Sequence, residues 1–140
     1  MTASLEFVDS NILLYSVDHT DADKQERSGT LLAGLWHDGR GCLSIQVLQE
    51  FYVNATRKLS RPLDVSTARQ LIEDYSLWVV HAPSSASVLA AIETQQQHQV
   101  SFWDAMILTS AMSLGAGIVW SEDLNAGQRF GALQVLSPFG

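Results

Sequence analysis

Five short apolar segments, separated by longer segments with helical spacing, most strongly constrain the fold of this chain. The apolar segments have the length of strands, and the segments between them repeat apolar residues every three or four positions. Such alternation is typical of βαβ units, in which a helix returns the chain to begin a parallel strand. The sequence therefore predicts an α/β fold with a mostly parallel sheet. The predicted strands are residues 5–8, 42–45, 78–80, 118–120 and 133–136.

Capping residues and helix breakers set the ends of the helices predicted between these strands. Serine, threonine or aspartate before an apolar-periodic segment predicts a helix start, and glycine or proline after it predicts an end. A short helix at 12–15 follows the first strand. The longer predicted helices run from a Thr20 cap to 37, from a Ser44 cap to 59, from Asp64 or Ser66 to 75, from Ser84 or Ser85 to 98, and from Ser101 to 114.

Composition predicts one folded domain over residues 1–140. No linker divides the chain, 46% of its residues are hydrophobic and 16% are charged, which is typical of a globular protein. No apolar run reaches the about 20 residues that cross a membrane, and the first ten residues lack the features of a signal peptide. Cys42 is the single cysteine, so no internal disulfide forms, and we expect a buried thiol. These features favour a cytoplasmic protein.

The net charge of −7 argues against broad electrostatic binding of nucleic acid. It does not argue against a nuclease, because acids that hold a metal contribute to the count and bound Mg²⁺ reverses the local sign. The same acidity suits a basic protein partner.

Two aspartates stand where a predicted strand ends or a helix begins. Asp9 closes the first strand, and Asp104 lies in the first turn of an otherwise apolar helix. Each also has a structural interpretation, Asp9 as a helix N-cap and Asp104 as part of a capping box opened by Ser101. Ser10 could cap the short helix instead, so capping alone does not require an aspartate at position 9. Taken singly, a functional and a purely structural interpretation both stay open for each residue.

Two further acids are less clear when taken singly. Glu50 lies beside the apolar face of the helix at 45–59, where an ordinary solvated glutamate explains its position. Asp123 follows the fourth strand directly after Glu122, and a turn near Asn125 would account for acids there. Which of Glu122 and Asp123 is the functional acid stays open.

Taken together, the four acids Asp9, Glu50, Asp104 and Asp123 predict a metal site. The carboxyl ends of parallel strands share one edge of a sheet, and ligands bind at that edge. Carboxylates gathered there repel one another unless a positive group lies among them, and Mg²⁺ and Mn²⁺ prefer oxygen ligands. The pattern therefore predicts metal-dependent hydrolysis of phosphodiester bonds.

Four segments resemble, in this order, the motifs of PIN-domain ribonucleases, and most of all those of VapC-type toxins from toxin–antitoxin pairs. The segments are FVDSNILLY, LQEF, SFWDAMI and WSEDLNAGQ, and the resemblance covers residues 7–138. It implies a three-layer α/β/α sandwich that cleaves RNA with Mg²⁺ or Mn²⁺. It also implies a homodimer held inactive by a partner antitoxin that inserts a segment, often bearing arginine, near the acids.

The resemblance assigns residues as well. A common version of the last motif has a further aspartate before the phenylalanine, which is missing here, so the choice of Asp123 over Glu122 is the least secure. The family's acidic positions fall on Asp9, Glu50, Asp104 and Asp123, and the polar positions that support them fall on Asn11 and Ser121.

We expect Asp9 and Asp104 to share the main metal, with Asp123 as a further ligand. Glu50 would bind a second metal or orient the attacking water. Attack by water rather than by the ribose 2′-hydroxyl would leave a 5′-phosphate and a 3′-hydroxyl.

Two other functions stay open. A receiver-like phosphoacceptor module would need paired acids after the first strand and a late lysine, whereas Asp9 precedes Ser10 and the last lysine is Lys58. A non-catalytic PIN-like domain that binds RNA or protein is the other alternative, and the presence of all four acids disfavours it.

The basic and aromatic residues are less specific signals. Arg57, Lys58 and Arg61 form the only basic cluster and are predicted to contact phosphates, although a helix C-terminus favours cations in any case. The four histidines have no metal-ligand spacing. Core or interface positions, rather than base stacking, are predicted for Trp36, Trp78, Trp103 and Trp120.

Overall fold

The computed structural model describes residues 4–140. The chain alternates strands and helices as the apolar pattern predicts. The strands are β1 (Glu6–Val8), β2 (Gly41–Ser44), β3 (Val79–His81), β4 (Ile118–Trp120), β5 (Arg129–Phe130) and β6 (Leu133–Leu136). The helices are α1 (Ser10–Ser16), α2 (Ala22–Asp38), α3 (Ile45–Arg57), α4 (Val65–Tyr75), α5 (Ser85–His98) and α6 (Phe102–Ser113).

The six strands form one sheet in the order β3-β2-β1-β4-β6-β5, and only β5 is antiparallel to its neighbour. Helices on both faces complete a three-layer α/β/α sandwich, so the predicted fold class is confirmed. From the central strand β1 the chain builds outward first through β2 and β3 and later through β4 and β6. The strand order therefore reverses between β1 and β4, and in open α/β sheets such a switch point forms the ligand-binding crevice.

The core explains why β1 lies at the centre of the sheet. All three residues of β1 are buried, as expected for a strand covered by helices on both faces. Phe7, Leu43 and Val119 from neighbouring strands are fully buried against helix residues such as Ile12 and Phe51. Cys42 is buried and free, as the sequence predicted.

Several predicted boundaries needed correction. Helix α2 is capped by Asp21 rather than Thr20, because the Asp21 side chain accepts a hydrogen bond from the Lys24 amide. Strand β2 begins at Gly41 and ends at Ser44, whose hydroxyl caps α3, so Ile45 belongs to the helix. Helix α1 begins at Ser10 rather than residue 12. Strand β5 was not predicted, because a two-residue strand carries no detectable periodicity.

The remaining helix ends agree more closely with the sequence. Asp64 caps α4, Ser84 precedes α5 and Ser101 caps α6, each of them among the predicted caps. Helix α3 ends at Arg57, two residues before the predicted end, and strand β3 is shifted by one residue to include His81. Among residues 4–140, no helix is both long enough and apolar enough to span a membrane.

Candidate active site

Asp9 lies at the switch point of the sheet. Val8 of β1 pairs with Trp120 of β4, and the Asp9 amide continues this ladder by donating to the Trp120 carbonyl at 2.9 Å. The next residue on each strand is therefore Asp9 and Ser121, side by side at the carboxyl edge. The Asp9 side chain is only 4% exposed, and both of its oxygens accept hydrogen bonds, one from the Ser10 amide and one from the Ser121 hydroxyl, each at 2.8 Å.

These contacts show that Asp9 is a helix N-cap and also part of the carboxylate cluster. The bond from Ser10 makes Asp9 the N-cap of α1, and the bond from Ser121 ties the same carboxylate to the end of β4. Burial raises the pKa of Asp9 to about 7, against the lowering effect of its bonds from Ser121 and Ser10, and the charges of Glu50 and Asp123 raise it further. A positive group nearby would offset the cost of ionising such a carboxylate.

Ser121 organises the loop after β4. Its side chain is fully buried, and besides donating to Asp9 its oxygen accepts from the amides of Asp123 at 3.1 Å and Leu124 at 3.3 Å. One hydroxyl thus sets both the orientation of the Asp9 carboxylate and the backbone path of the Asp123 segment.

Asn11 holds the same loop from helix α1. Its side-chain amide donates to Asp123 Oδ2 at 2.9 Å, and its side-chain oxygen accepts from the Glu122 amide at 3.3 Å. Asp123 is consequently presented toward α1, where Asp9 also lies, although Asp123 itself is exposed.

Glu122 points elsewhere. One of its oxygens accepts from the Tyr15 hydroxyl at 2.7 Å and the other from the Lys24 ammonium at 2.5 Å. Burial acts to raise the pKa of Glu122, but the hydrogen bonds from Lys24 and Tyr15 outweigh it and lower that pKa. Glu122 is therefore ionised and already paired.

Glu50 and Asp104 approach from two helices that begin at the same edge. Glu50 lies half-buried on the second turn of α3 and accepts a bond from the Ser10 hydroxyl at 3.3 Å. Burial raises the pKa of Glu50, and the charges of Asp104 and Asp123 add to the rise. Asp104 lies in the first turn of α6, where burial and then the charge of Asp123 raise its pKa.

The four acids therefore share one electrostatic environment. Asp9 is affected by Glu50 and Asp123, Glu50 by Asp104 and Asp123, and Asp104 by Asp123. Asp9 and Asp104 are linked through the other two acids. Within residues 4–140, no three acidic, histidine or cysteine side chains are close enough together to hold a metal ion as they stand. The donor set, four carboxylates in mutual repulsion and all oxygen, nonetheless matches the chemistry of a hard divalent cation.

The sequence of the chain matches one protein family over most of its length. The sequence model of the PIN domain family matches residues 7–129, which span all four acids. This chain belongs to the PIN domain family. No curated protein sequence matches it significantly.

Solved structures show the same fold at low sequence identity. A toxin–antitoxin complex from Klebsiella pneumoniae aligns with a TM-score of 0.69 and 17% identity, covering 96% of this PIN domain and 98% of the other chain. VapC20 of Mycobacterium tuberculosis, described as a sarcin-ricin loop cleaving toxin, aligns at 0.62 with 21% identity, covering 84% and 91%. DNA-bound VapBC from Salmonella typhimurium aligns at 0.64 with 17% identity, covering 97% and 99%.

The basic cluster of this PIN domain lies near Glu50. Arg57, Lys58 and Arg61 are all exposed at the end of α3 and just beyond it. Lys58 and Glu50 line the same surface groove, about 330 Å³ in volume, together with Gln49, Val53 and Asn54.

The tryptophans divide between core and surface. Trp78 is buried and packs against Trp36 and Tyr75, as expected for the core. Trp103, next to Asp104, is 64% exposed, so a core position is wrong for this residue, and an interface position stays a prediction. Sequence reasoning also missed Ser10, Tyr15 and Lys24, because their contacts with Glu50 and Glu122 join residues 40 to 107 positions apart.

Replacing Ser121 with alanine should destabilise the protein by about 1–3 kcal/mol, the usual cost of leaving buried polar groups unpaired. The Asp9 oxygen and two amides lose their shared partner in this variant. Chemical denaturation of the metal-free protein measures the change. The exposed Ser113→Ala substitution on α6 is the matched control, and equal stability of the two variants would contradict the role given to Ser121.

Proposed function

We propose that this PIN domain is a metal-dependent endoribonuclease and the toxin of a toxin–antitoxin pair of the VapC type. The observation that carries the proposal is the placement of Asp9, Glu50, Asp104 and Asp123 at one edge of the sheet, in a shared electrostatic environment. Membership in the PIN family supports a nuclease over a receiver-like module. The similar fold of VapC20, described as a toxin that cleaves the sarcin-ricin loop, supports RNA as the substrate.

In this proposal Asp9 and Asp104 hold the main Mg²⁺ or Mn²⁺ ion with Asp123, and Glu50 holds a second ion or orients the attacking water. The bound metal activates water and neutralises the phosphate oxygens. Ser10 and Ser121 fix the orientation of the Asp9 carboxylate through its two oxygens. Asn11 fixes that of Asp123.

The fourth acid of this site is Asp123 rather than Glu122. Asp123 raises the pKa values of Asp9, Glu50 and Asp104 through its charge, as a neighbour of all three would. Glu122 instead pairs with Lys24 and Tyr15. These contacts support the family assignment at the position where the motif was least secure.

The partners we propose are an antitoxin protein and a second copy of the chain. The aligned structures include toxin–antitoxin and VapBC complexes, which supports the first. An apolar surface groove of about 380 Å³ between α3 and α4, lined by Ile45, Leu48, Tyr52 and Ile72, offers surface for a protein partner to bury. The net charge of −7 suits a basic segment. An RNA substrate would place the protein in the cytoplasm.

Neutralising the basic cluster should weaken RNA binding in a salt-dependent way. The variant carries Arg57→Gln, Lys58→Gln and Arg61→Gln. If all three contact phosphates of a single strand, the slope of log affinity against log salt concentration should become less negative by about 2, since each contact contributes about 0.7 to it. Titration of a single-stranded RNA at several salt concentrations provides the slope.

The matched control removes three exposed arginines elsewhere, with Arg27→Gln, Arg69→Gln and Arg129→Gln, and so makes the same change in net charge. Equal slopes for the two triple variants would show that the cluster is an ordinary solvated helix end that does not contact RNA phosphates.

Expression of the chain in cells, followed by sequencing of new RNA 5′ ends, tests the proposed function. We expect cuts at a small set of sites that disappear with Asp9→Ala. An unchanged set of RNA ends with the parent protein, or cuts that persist with the variant at equal protein level, would contradict the ribonuclease proposal.

A further inference from the structure

Four segments that are distant in sequence meet around the Glu122 carboxylate. Lys24 of α2 donates to Glu122 and, at 3.3 Å, to the Tyr15 hydroxyl, while Tyr15 of α1 donates to Glu122. The Lys24 ammonium lies 4.5 Å from the centre of the Tyr15 ring and 5.1 Å from that of Phe139. The two rings pack edge to face at 5.3 Å. We refer to Lys24, Tyr15, Glu122 and Phe139 as the Lys24 clamp.

The clamp acts on the same loop as the active site. Asn11 and Tyr15 are four residues apart on α1 and therefore project from the same face of that helix. Asn11 holds the Asp123 side chain, and Tyr15 holds the side chain of Glu122, the residue just before it. One helical face thus holds two consecutive acids, each through a different side chain.

The clamp differs from the ordinary ion pairs of this protein. Arg27–Asp23 and Arg69–Glu73 are pairs within one helix, and both partners of each are more than half exposed. Lys24 and Glu122 are 29% and 32% exposed, come from elements 98 residues apart, and add a hydroxyl and two aromatic rings to the charge pair. Partial burial and the extra contacts make such a pair more directional than a solvent-exposed one.

Glu122 directly precedes the proposed metal ligand Asp123, so its carboxylate has to be kept away from the metal site. Without Lys24, Glu122 would be a fifth carboxylate, free to turn toward the other four or to shift the loop. In the clamp both of its oxygens accept hydrogen bonds, one from Tyr15 and one from Lys24, while Asn11 holds Asp123.

We propose that Lys24 and Tyr15 are positioning residues, which hold Glu122 so that the loop presents Asp123 to the metal. This inference rests on the proposed function. It gives Glu122 the role of a loop anchor and Lys24 a role in metal affinity, although Lys24 itself contacts none of the four acids.

Mn²⁺ binding by Lys24→Met, measured by calorimetry on the metal-free protein, tests the inference. We expect affinity to fall about tenfold, the low end of the effect of residues that support metal ligands. Lys24→Arg should retain near-parent affinity, because arginine can still pair with Glu122. In RNA cleavage, Lys24→Met should need more Mn²⁺ but reach the parental rate at saturation.

Arg27→Met, on the same helix and three residues from Lys24, is the matched control and should bind Mn²⁺ as the parent does. Glu122→Gln keeps the size of the anchor without its charge and should weaken Mn²⁺ binding in the same direction as Lys24→Met, which covers the case in which Lys24→Met folds poorly. Tyr15→Phe removes one hydroxyl and should have a smaller effect in that direction.

Two failures are distinguishable. If the parent protein neither binds Mn²⁺ nor cleaves RNA, the proposed function fails. If the parent does both, and folded Lys24→Met and Glu122→Gln bind Mn²⁺ with parental affinity, the clamp serves stability alone and the inference is overturned. A lower melting temperature with unchanged affinity is the signature of that purely structural role.

Discussion

Asp9→Asn should abolish RNA cleavage and, in the metal-free protein at pH 8, stabilise the fold. Loss of a ligand that holds the metal removes several kcal/mol of transition-state stabilisation, or about three orders of magnitude in rate. The stabilisation arises because Asp9 is buried among other acids, which raises its pKa to about 7. Holding it ionised costs folding free energy, which an uncharged asparagine avoids.

The sign of this effect depends on pH. The pKa of Asp9 is raised from 3.8 in the unfolded chain to about 7 in the folded one, so the folded state binds the proton more tightly. The contribution of Asp9 to stability is therefore most favourable below pH 4, declines as pH rises to 7, and stays low above it. The shift is equivalent to about 4 kcal/mol at 1.36 kcal/mol per unit.

Asparagine recovers only part of that free energy. Both Asp9 oxygens accept hydrogen bonds, and an amide supplies one acceptor, so one partner is left unpaired at a cost of about 1–3 kcal/mol. We expect a net gain of about 1–3 kcal/mol at pH 8, measured by urea denaturation in EDTA. At pH 4, where the parental Asp9 is protonated in the folded protein, this gain should be lost, and the unpaired partner should leave the variant about 1–3 kcal/mol less stable than its parent. A variant less stable than its parent at pH 8 would contradict the electrostatic cost assigned to Asp9.

The affinity for Mn²⁺ should rise about 100-fold from pH 5 to a plateau above pH 7, because a metal binds the deprotonated carboxylate in competition with the proton. Below a pKa of about 7 the ionised fraction of Asp9 falls about tenfold per pH unit. Calorimetric titrations at several pH values measure this dependence.

Ser121→Ala supplies an internal check on that pH dependence. The hydrogen bond from Ser121 lowers the pKa of Asp9, so its removal should move the plateau to higher pH. An affinity that does not change from pH 5 to pH 8 would show that Asp9 is not a ligand.

The apolar pattern was sufficient to predict strands β1, β2, β4 and β6, since each contains buried apolar residues and helices with caps visible in the sequence separate the first three. The edge on which Asp9 lies follows from the same pattern, because Asp9 directly follows β1. Errors occurred where local signals compete, as when Thr20 and Asp21 could both cap α2. The two-residue strand β5 is too short to produce a pattern.

The loop after β4 marks the limit of prediction from sequence. Adjacent Glu122 and Asp123 are chemically similar, and only tertiary contacts separate them. Lys24 and Tyr15 pair with Glu122, while Asn11 pairs with Asp123. These partners lie about a hundred residues earlier in the chain, so no local pattern indicates which acid each one meets. Family resemblance selected Asp123, and the contacts give that choice a physical reason.

End-group analysis of RNA cut by the purified protein tests the central claim most directly. The reaction is run with Mn²⁺, with EDTA, and with Asp9→Asn in place of the parent. We predict products with a 5′-phosphate and a 3′-hydroxyl, formed by the parent in Mn²⁺ and by neither of the other two samples. Cleavage that persists in EDTA and leaves a 2′,3′-cyclic phosphate would contradict the account.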